Sequence, residues 1–491
     1  MTTAKIVISD EANCKITNLD LNTRKKLVNT FKYEIPGARY TPAVRLGRWD
    51  GKKAFAQLGG STYINLLPEI LAILDSEGYD IELEDLRDYN NQFEFEEVNE
   101  QSYAHIKWPE GHEAAGKSIL LRDYQVEAIN TFLQNTQSIQ CLATGSGKTI
   151  MTAVLSHKCE PYGRTVVVVP SKDLVLQTEA DYINMGLDVG VFFGTRKEYN
   201  KTHTICTWQS LNSMFKKTKA GEAVVEFGDF IDGVCCIMID ECHGLKADAL
   251  LTMMTSVMSR IPIRWGVTGT IPKEDFERRS LQVSIGEVVG TIKASDLQEL
   301  GVLSNCHVNI VQMIDHGEYK QYQDELRYLL DTEERIKFIA TMITKISADG
   351  NTLVLIDRVE PGKLLASLIP DAVFLSGATK STHRKDQYDS IAVNDNGVTV
   401  CTYGIAAIGI NVPRIFNLVL IEPGKSFVRV IQSIGRGIRK AEDKDFVNIY
   451  DVTSTCKFAK RHLTKRKQFY TEANYPYAIE KVDWQLITKG K

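Results

Sequence analysis

Apolar positions along this chain change rhythm twice. In residues 1–110 they are mixed: 64–74 has the spacing of a helix, 79–83 is strand-like, and the acidic, aromatic stretch 90–108 leads away as a linker. From Leu120 onward, short apolar runs at 139–143, 165–169, 204–207, 234–239 and 264–267 alternate with helix-spaced segments. A strand that is apolar on both faces must be covered on both, so the alternation predicts a doubly wound parallel sheet. A charged helical connector, 319–346, precedes a second series at 352–356, 372–375, 398–402, 417–421 and 446–450. The predicted fold class is therefore α/β, two doubly wound parallel sheets in tandem plus a small N-terminal α+β domain. The predicted boundaries are 1–110 for the small domain and its linker, 111–300 and 301–455 for the two sheets, and 456–491 for a basic C-terminal segment.

Composition narrows the class. The 491 residues suffice for about three domains, and 43% hydrophobic with 24% charged residues is the balance of a folded globular chain. No apolar run reaches the ~18–20 residues that span a bilayer. Met1 to Asp10 lacks the apolar core of a signal peptide, so a cytoplasmic location without membrane association is expected. The net charge of −4 says little, but its distribution says more. Residues 1–55 hold eleven Lys/Arg against five acids, 75–113 hold thirteen acids against Arg87 and Lys107, and 457–467 hold six cations and no acid. Basic ends on a neutral chain point to a nucleic acid, or else to solvated helix faces. The ten cysteines form no CxxC pair, and nothing at ligand spacing accompanies Cys242-His243. Reduced core thiols are expected, not disulfides or zinc.

Three elements carry chemistry. Ala143-Thr144-Gly145-Ser146-Gly147-Lys148-Thr149 lies between a strand-like run and a helix-spaced segment, the context of a phosphate-binding loop. Its glycines let backbone N–H groups face phosphate oxygens at a helix N-terminus; Lys148 reaches the β- and γ-phosphates and the Thr149 hydroxyl joins a Mg²⁺ shell. Leu142 stands where the strict GxxxxGKT pattern has its first glycine. Asp240-Glu241-Cys242-His243 follows the run 234–239, at the strand end where open α/β sheets bind ligands. Asp240 suits the metal there, and Glu241 suits the attacking water. In the second series, Gln432-Ser433-Ile434-Gly435-Arg436-Gly437-Ile438-Arg439 sets Arg436 and Arg439 one helical turn apart. Guanidinium groups match charge developing on a transferring phosphoryl group. ATP and Mg²⁺ are the cofactors expected.

In this order and spacing, the three elements resemble motifs I, II and VI of superfamily 2 helicases of the DExH type, whose two sheets are RecA-like. Arg122 and Gln125, within Leu121-Arg122-Asp123-Tyr124-Gln125, resemble the adenine-reading Gln motif. Pro170-Ser171-Lys172 through Gln177 resembles motif Ia, Thr207-Trp208-Gln209-Ser210 motif Ic, and Thr268-Gly269-Thr270 motif III. Asp357-Arg358 stands where motif IV belongs, and Ser376-Gly377 with Arg384 resembles the loop before motif V. Tyr403-Gly404 through Gly409-Ile410-Asn411 resembles motif V itself, with Ala407 near the place of its usual acid. The resemblance implies catalytic roles for Lys148, Asp240, Glu241, Gln432, Arg436 and Arg439. It implies nucleotide contacts from Arg122, Gln125, Thr144, Gly145, Ser146, Gly147, Lys148, Thr149 and Gly409, with Thr149 and Asp240 on the metal. Pro170, Ser171, Lys172, Thr207, Trp208, Gln209, Asp357, Arg358, Tyr403 and Gly404 would then touch nucleic acid.

Phe31-Lys32-Tyr33-Glu34 through Tyr40-Thr41-Pro42, followed by Arg48-Trp49-Asp50-Gly51, narrows the resemblance. The phage UvsW-type recombination and branch-migration helicases carry a similar Tyr/Phe-x-Pro and Asn-Trp-Asp-Gly pattern, and the likeness runs over nearly the whole chain. It implies an ATP-dependent DNA helicase of 3′ to 5′ polarity that migrates Holliday junctions, regresses forks and unwinds R-loops or D-loops. Single-stranded and branched DNA, with RNA in R-loops, are the implied partners, in a host cytoplasm if the chain is phage-encoded. On the residues alone, Arg39, Tyr40, Arg45, Arg48, Trp49, Lys52 and Lys53 interleave cations with rings, which suits phosphates and an exposed base. The other reading makes Tyr40 and Trp49 the core of a small domain. Two further functions share the motor motifs: the motor subunit of a restriction-type complex, and an ATP-gated clamp without unwinding. The N-terminal block argues against the first, and the presence of Glu241 and both arginines argues against the second.

Overall fold

A computed structural model of the chain describes residues 2–87, 93–110, 115–244, 247–379, 386–387, 390, 395–404, 414–426, 430, 433–435, 437–441 and 443–489. The chain divides into two compact units, Met1–Leu142 with Gly147–Thr291, and Ala143–Ser146 with Ile292–Lys491.

In the first unit the large sheet runs in the order Arg196–Lys197, Val189–Phe193, His203–Thr207, Arg164–Val169, Val234–Asp240, Ile263–Thr268, Gln137–Leu142, Glu287–Ile292. Every pairing from Val189–Phe193 through Gln137–Leu142 is parallel. The loops that follow these strands therefore gather along one edge. From Gln137–Leu142 the chain passes through the helix Lys148–Cys159 and re-enters the sheet three places away, at Arg164–Val169. Such a skip opens a crevice at the carboxyl ends of the strands in between. Ile139, Val166, Val168, Ile237 and Ile239 face helices that contribute Leu211, Met214, Leu250 and Met253, all buried.

The second unit holds seven strands, all parallel, in the order Val373–Leu375, Val398–Thr402, Thr352–Ile356, Asn417–Ile421, Phe446–Ser454, Asn305–Met313, Tyr477–Val482. Asn305–Met313 and Tyr477–Val482 escape the apolar pattern. The first alternates polar with apolar residues, and the second is an exposed edge strand. The segment beyond residue 456 forms this edge strand and the helix Lys457–Glu472. Arg466 is not a surface cation of the basic run. Its guanidinium is buried on Asp451 at 2.7 and 2.9 Å, and the Tyr470 hydroxyl donates to the same carboxylate at 2.7 Å. Nearby, Arg335 bonds Glu422 at 2.9 Å and lies 3.5 Å from Asp315, which also accepts from Ser454 and Trp484.

The N-terminal residues form a sheet ordered Ser61–Tyr63, Asn13–Thr17, Thr2–Ile8, Tyr79–Asp85, with the helices Leu21–Thr30 and Leu67–Ser76 and a hairpin of Lys32–Glu34 and Lys52–Ala54. The Asp20 carboxylate starts the first helix by accepting the N–H groups of Asn22 and Thr23. The core of this block does not close on itself. Ala4, Ile6, Leu27, Phe31, Phe55 and Ile70 pack in one cluster with Leu251, Phe276 and Val283 from the helices Ala247–Met254 and Asp275–Ser284. Polar ties cross the same boundary: Glu11 N–H to Ser259 O at 2.9 Å, the Gln137 amide to Glu11 O at 2.9 Å, and Lys53 to Asp248 at 2.8 Å. Arg279 pairs with Glu69 and donates to the Tyr33 hydroxyl at 3.0 Å. The stretch read as a linker is likewise anchored where described. The Phe95 ring lies 5.3 Å from that of Tyr162 and 6.1 Å from that of Trp265, and Val98 N–H donates to Asn130 Oδ1 at 2.8 Å. Among the described residues, no helix is long and apolar enough to cross a membrane.

Candidate active site and nucleic-acid interface

Five sequence motifs follow or end strands of the first unit's large sheet at their carboxyl ends. The loop 143–147 follows Gln137–Leu142, Pro170-Ser171 follows Arg164–Val169, Thr207 ends its strand, Asp240 ends Val234–Asp240, and Thr268 ends Ile263–Thr268. The strand–loop–helix turn puts Gly145 and Gly147 at φ of +88° and +85°, where a Cβ is strained. Gly147 has a second reason to be glycine: a Cβ there would lie 2.4 Å from Gln125 Nε2. Gln125 is buried, and its Oε1 accepts the Arg122 N–H at 3.0 Å in a capping box that opens the helix Asp123–Gln134. Arg122 itself is exposed. The adenine-motif glutamine is thus packed against the phosphate-loop turn.

Lys148, at the first turn of its helix, places Nζ 2.7 Å from Glu241 Oε1. Glu241 sits at φ +49°, a strained setting for a side-chain-bearing residue. Its Oε2 accepts the Gly269 N–H at 3.2 Å and lies 3.4 Å from His243 Nδ1. Burial pushes the carboxyl up, but the Lys148 ammonium, His243 and these hydrogen bonds outweigh it and hold the group at about 2. It is a carboxylate at neutral pH. His243 is pushed down by burial. The Thr268 hydroxyl donates to Thr270 O at 2.8 Å, so His243 Nδ1–H is the donor in the bond between His243 and Thr268. His243, met in the sequence only as a poor zinc candidate, ties the Asp-Glu loop to Thr268-Gly269-Thr270. Its signal was its place two residues beyond Glu241.

Among the described residues, no three His, Cys, Asp or Glu gather as a protein-only metal site requires. Thr149 and Asp240 offer one hydroxyl and one carboxylate. That donor set is too small for a dedicated cage and suits Mg²⁺ shared with phosphates and water.

The residues predicted to touch nucleic acid divide into two groups. Lys172, Gln209, Asp357 and Gly404 are exposed, and Pro170, Ser171 and Arg358 are half-buried. Thr207, Trp208 and Tyr403 require correction. The Trp208 ring is buried in the first unit's core, leaving no face for a base, and the Thr207 hydroxyl caps its helix by accepting Ser210 N–H. Tyr403 is buried and donates to Ile421 O at 3.3 Å. Ser171 also caps its helix, accepting Leu174 N–H at 3.3 Å. Arg439 is half-buried in the second unit, its backbone bridged to Leu303. Arg384, Gly409, Gln432 and Arg436 lie outside the described residues.

On the N-terminal block, Trp49 is 37% exposed and Tyr40 62% exposed. The Trp49 indole N–H donates to Lys52 O at 3.1 Å, and the Arg39 guanidinium lies 4.9 Å over the Tyr40 ring. Arg45, Arg48 and Lys52 are exposed as well. Trp49 and Tyr40 are surface residues, not core. Lys53 leaves the set, engaged with Asp248.

Residues 118–273 match the model of the family described as "Type III restriction enzyme, res subunit". The chain is 24% identical over 518 residues to the ATP-dependent DNA helicase uvsW of Enterobacteria phage T4, covering 99% of each chain. It is 25% identical over 389 residues to the DNA 3'-5' helicase XPB of Mycobacterium tuberculosis, covering 74% of this chain and 66% of that one. A fragment of the HsdR subunit of a type I restriction enzyme from Vibrio vulnificus shares the fold at a TM-score of 0.56, with 18% identity over 74% of this chain and 69% of that fragment. With its ordered motifs on two parallel sheets, the chain is an ATP-dependent DNA helicase of superfamily 2, DExH type. Within that class it is a relative of the phage T4 protein uvsW, which it matches from end to end.

Proposed function

We propose that this helicase remodels branched DNA, migrating four-way junctions, regressing forks and unwinding R-loops or D-loops with 3′ to 5′ polarity. In this reading Lys148 and the loop 144–147 hold the phosphates, Arg122 and Gln125 meet the adenine, and Glu241 orients and deprotonates the attacking water. Thr149 and Asp240 would hold Mg²⁺, which would supply neutralisation of charge on the phosphate oxygens. In the same reading, catalytic roles fall to Gln432, Arg436 and Arg439, and a nucleotide contact to Gly409. Lys172, Gln209, Asp357 and Gly404 grip one strand by its backbone, which carries no information about branching. The observation that supports branch recognition is the exposed surface of Arg39, Tyr40, Arg45, Arg48, Trp49 and Lys52. Cations there suit phosphates, and a ring suits the unstacked base at a branch point. Phosphate release and strand exchange measured on single-stranded, duplex, forked and four-way DNA, with RNA as control, test the proposal. Branched DNA should be converted with ATP and left intact by Lys148→Ala. Unwinding of tailed duplexes alone, with four-way junctions untouched, would reduce the protein to a plain helicase.

A further inference from the structure

The N-terminal sheet ends in an open strand. Among the described residues, Tyr79–Asp85 pairs on one side only, parallel to Thr2–Ile8, in unbroken register from Thr2 opposite Tyr79 to Ile8 opposite Asp85. Leu86 N–H donates to Ile8 O at 2.9 Å. Because backbone direction alternates along a strand, Glu84, Glu82 and Asp80 turn their amides inward as well. The N–H and C=O groups of Ile81, Leu83 and Asp85 therefore face away from the sheet. Natural edges are blunted by shortness, charged side chains, proline or a bulge. This strand has seven residues, no lysine, proline or bulge, and charges of one sign only, from Asp80, Glu82, Glu84 and Asp85.

Its two faces differ sharply. Ile81 and Leu83 stand beside buried Ala4 and Ile6, yet are 41% and 60% exposed, so the core ends on them uncovered. Asp80, Glu82 and Glu84 occupy the opposite face, with Lys5 reaching both glutamates at 3.4 and 2.8 Å. A second copy of this edge would set carboxylates against carboxylates, and like charges across a strand pair are destabilising. The complementary strand carries apolar residues on one face and cations on the other. We propose that this edge docks an extended segment of a partner protein, in which apolar residues alternate with Lys or Arg, as a fifth strand of the N-terminal sheet. Its negative charge repels phosphate, so this docking does not compete for DNA.

The test uses the full-length chain and short fluorescein-labelled peptides. One alternates Val with Lys, one alternates Val with Glu, and one has the Val/Lys composition in two blocks. The alternating Val/Lys peptide should bind at least about tenfold more tightly than either other and slow hydrogen exchange at Ile81 and Leu83. Leu83→Lys should cost about tenfold in that affinity and leave DNA-stimulated ATP hydrolysis unchanged. Glu82→Lys with Glu84→Lys should transfer preference to the Val/Glu peptide. Equal binding of the block peptide, protection at Tyr477–Val482 instead, or no binding at all would overturn the proposal. So would self-association of the chain that Leu83→Lys abolishes, which would make a second copy the occupant.

Discussion

Lys148 and Glu241 neutralise each other at 2.7 Å with little access to solvent, and in the proposed function a nucleotide ends that arrangement. Its phosphates compete with the carboxylate for the ammonium. Glu241→Gln removes the competitor along with the base. Hydrolysis is expected to fall ~10²–10⁴-fold while ATP affinity holds or rises, read by phosphate release and nucleotide anisotropy. An affinity loss as large as the rate loss would make Glu241 a structural residue. A second carboxyl behaves in the opposite sense. In the second unit Asp315, Glu422 and Asp451 are buried together with Arg335 and Arg466, three acids to two cations. Burial, which the two arginines only partly offset, lifts Glu422 from 4.5 to about 7. Between those values the native chain keeps a proton that the unfolded chain has lost, so stability falls as pH rises through the window. The melting temperature of the second unit should therefore drop from about pH 5 to about pH 8, as the unfolding free energy falls by about 1–3 kcal/mol. Glu422→Gln should flatten that slope, and an unaltered slope would reassign the titration.

At the scale of elements, the helix Lys457–Glu472 separates two kinds of basic residue that look alike in sequence. Lys457, Lys460, Arg461 and Lys465 form an exposed stripe, while Arg466 is buried on Asp451. Lys460→Ala with Lys465→Ala should lower the salt dependence of DNA binding, by ~0.7–0.9 in slope for each phosphate no longer neutralised, without moving the melting temperature. Arg466→Ala should instead cost ~3–5 kcal/mol of stability, because Asp451 is left buried without its charge partner. A salt slope unchanged in the double variant would take the stripe off the DNA. The same contrast explains what could be read before the structure. Strands such as Arg164–Val169 and Val234–Asp240, apolar on both faces, stand out in the pattern, and the phosphate loop and Asp-Glu pair stand out beside them. Asn305–Met313, half polar, and Tyr477–Val482, exposed at a sheet edge, carry no such mark. Trp208 and Tyr403 had the right motif and the wrong environment, since a motif names a residue and burial decides which of its faces remains available.

On the scale of the whole molecule, the N-terminal block and the first large sheet share apolar contacts through Leu251, Phe276 and Val283. Deleting residues 1–100 would strip those side chains of their cover, so loss of branch processing in such a truncation would not isolate recognition. Arg48→Ala and Trp49→Ala do isolate it, because both side chains are exposed. Each should leave the melting temperature and the single-strand-stimulated ATPase near those of the parent while slowing junction migration. Full migration rates in both variants would remove this surface from the mechanism. The sequence signalled the rings and cations of that surface but not the shared core, since Leu251, Phe276 and Val283 sit in helices that look complete by themselves.

That shared core also sets how the protein comes apart. A block with its own closed interior melts by itself, but one whose interior is completed by its neighbour loses much of its stabilisation when either half opens. Heat should therefore unfold residues 2–85 and the first large sheet together, in one calorimetric peak with the enthalpy of both. If this block reads branched DNA as proposed, it has no slack of its own: whatever displaces the first large sheet carries Trp49 through the same displacement.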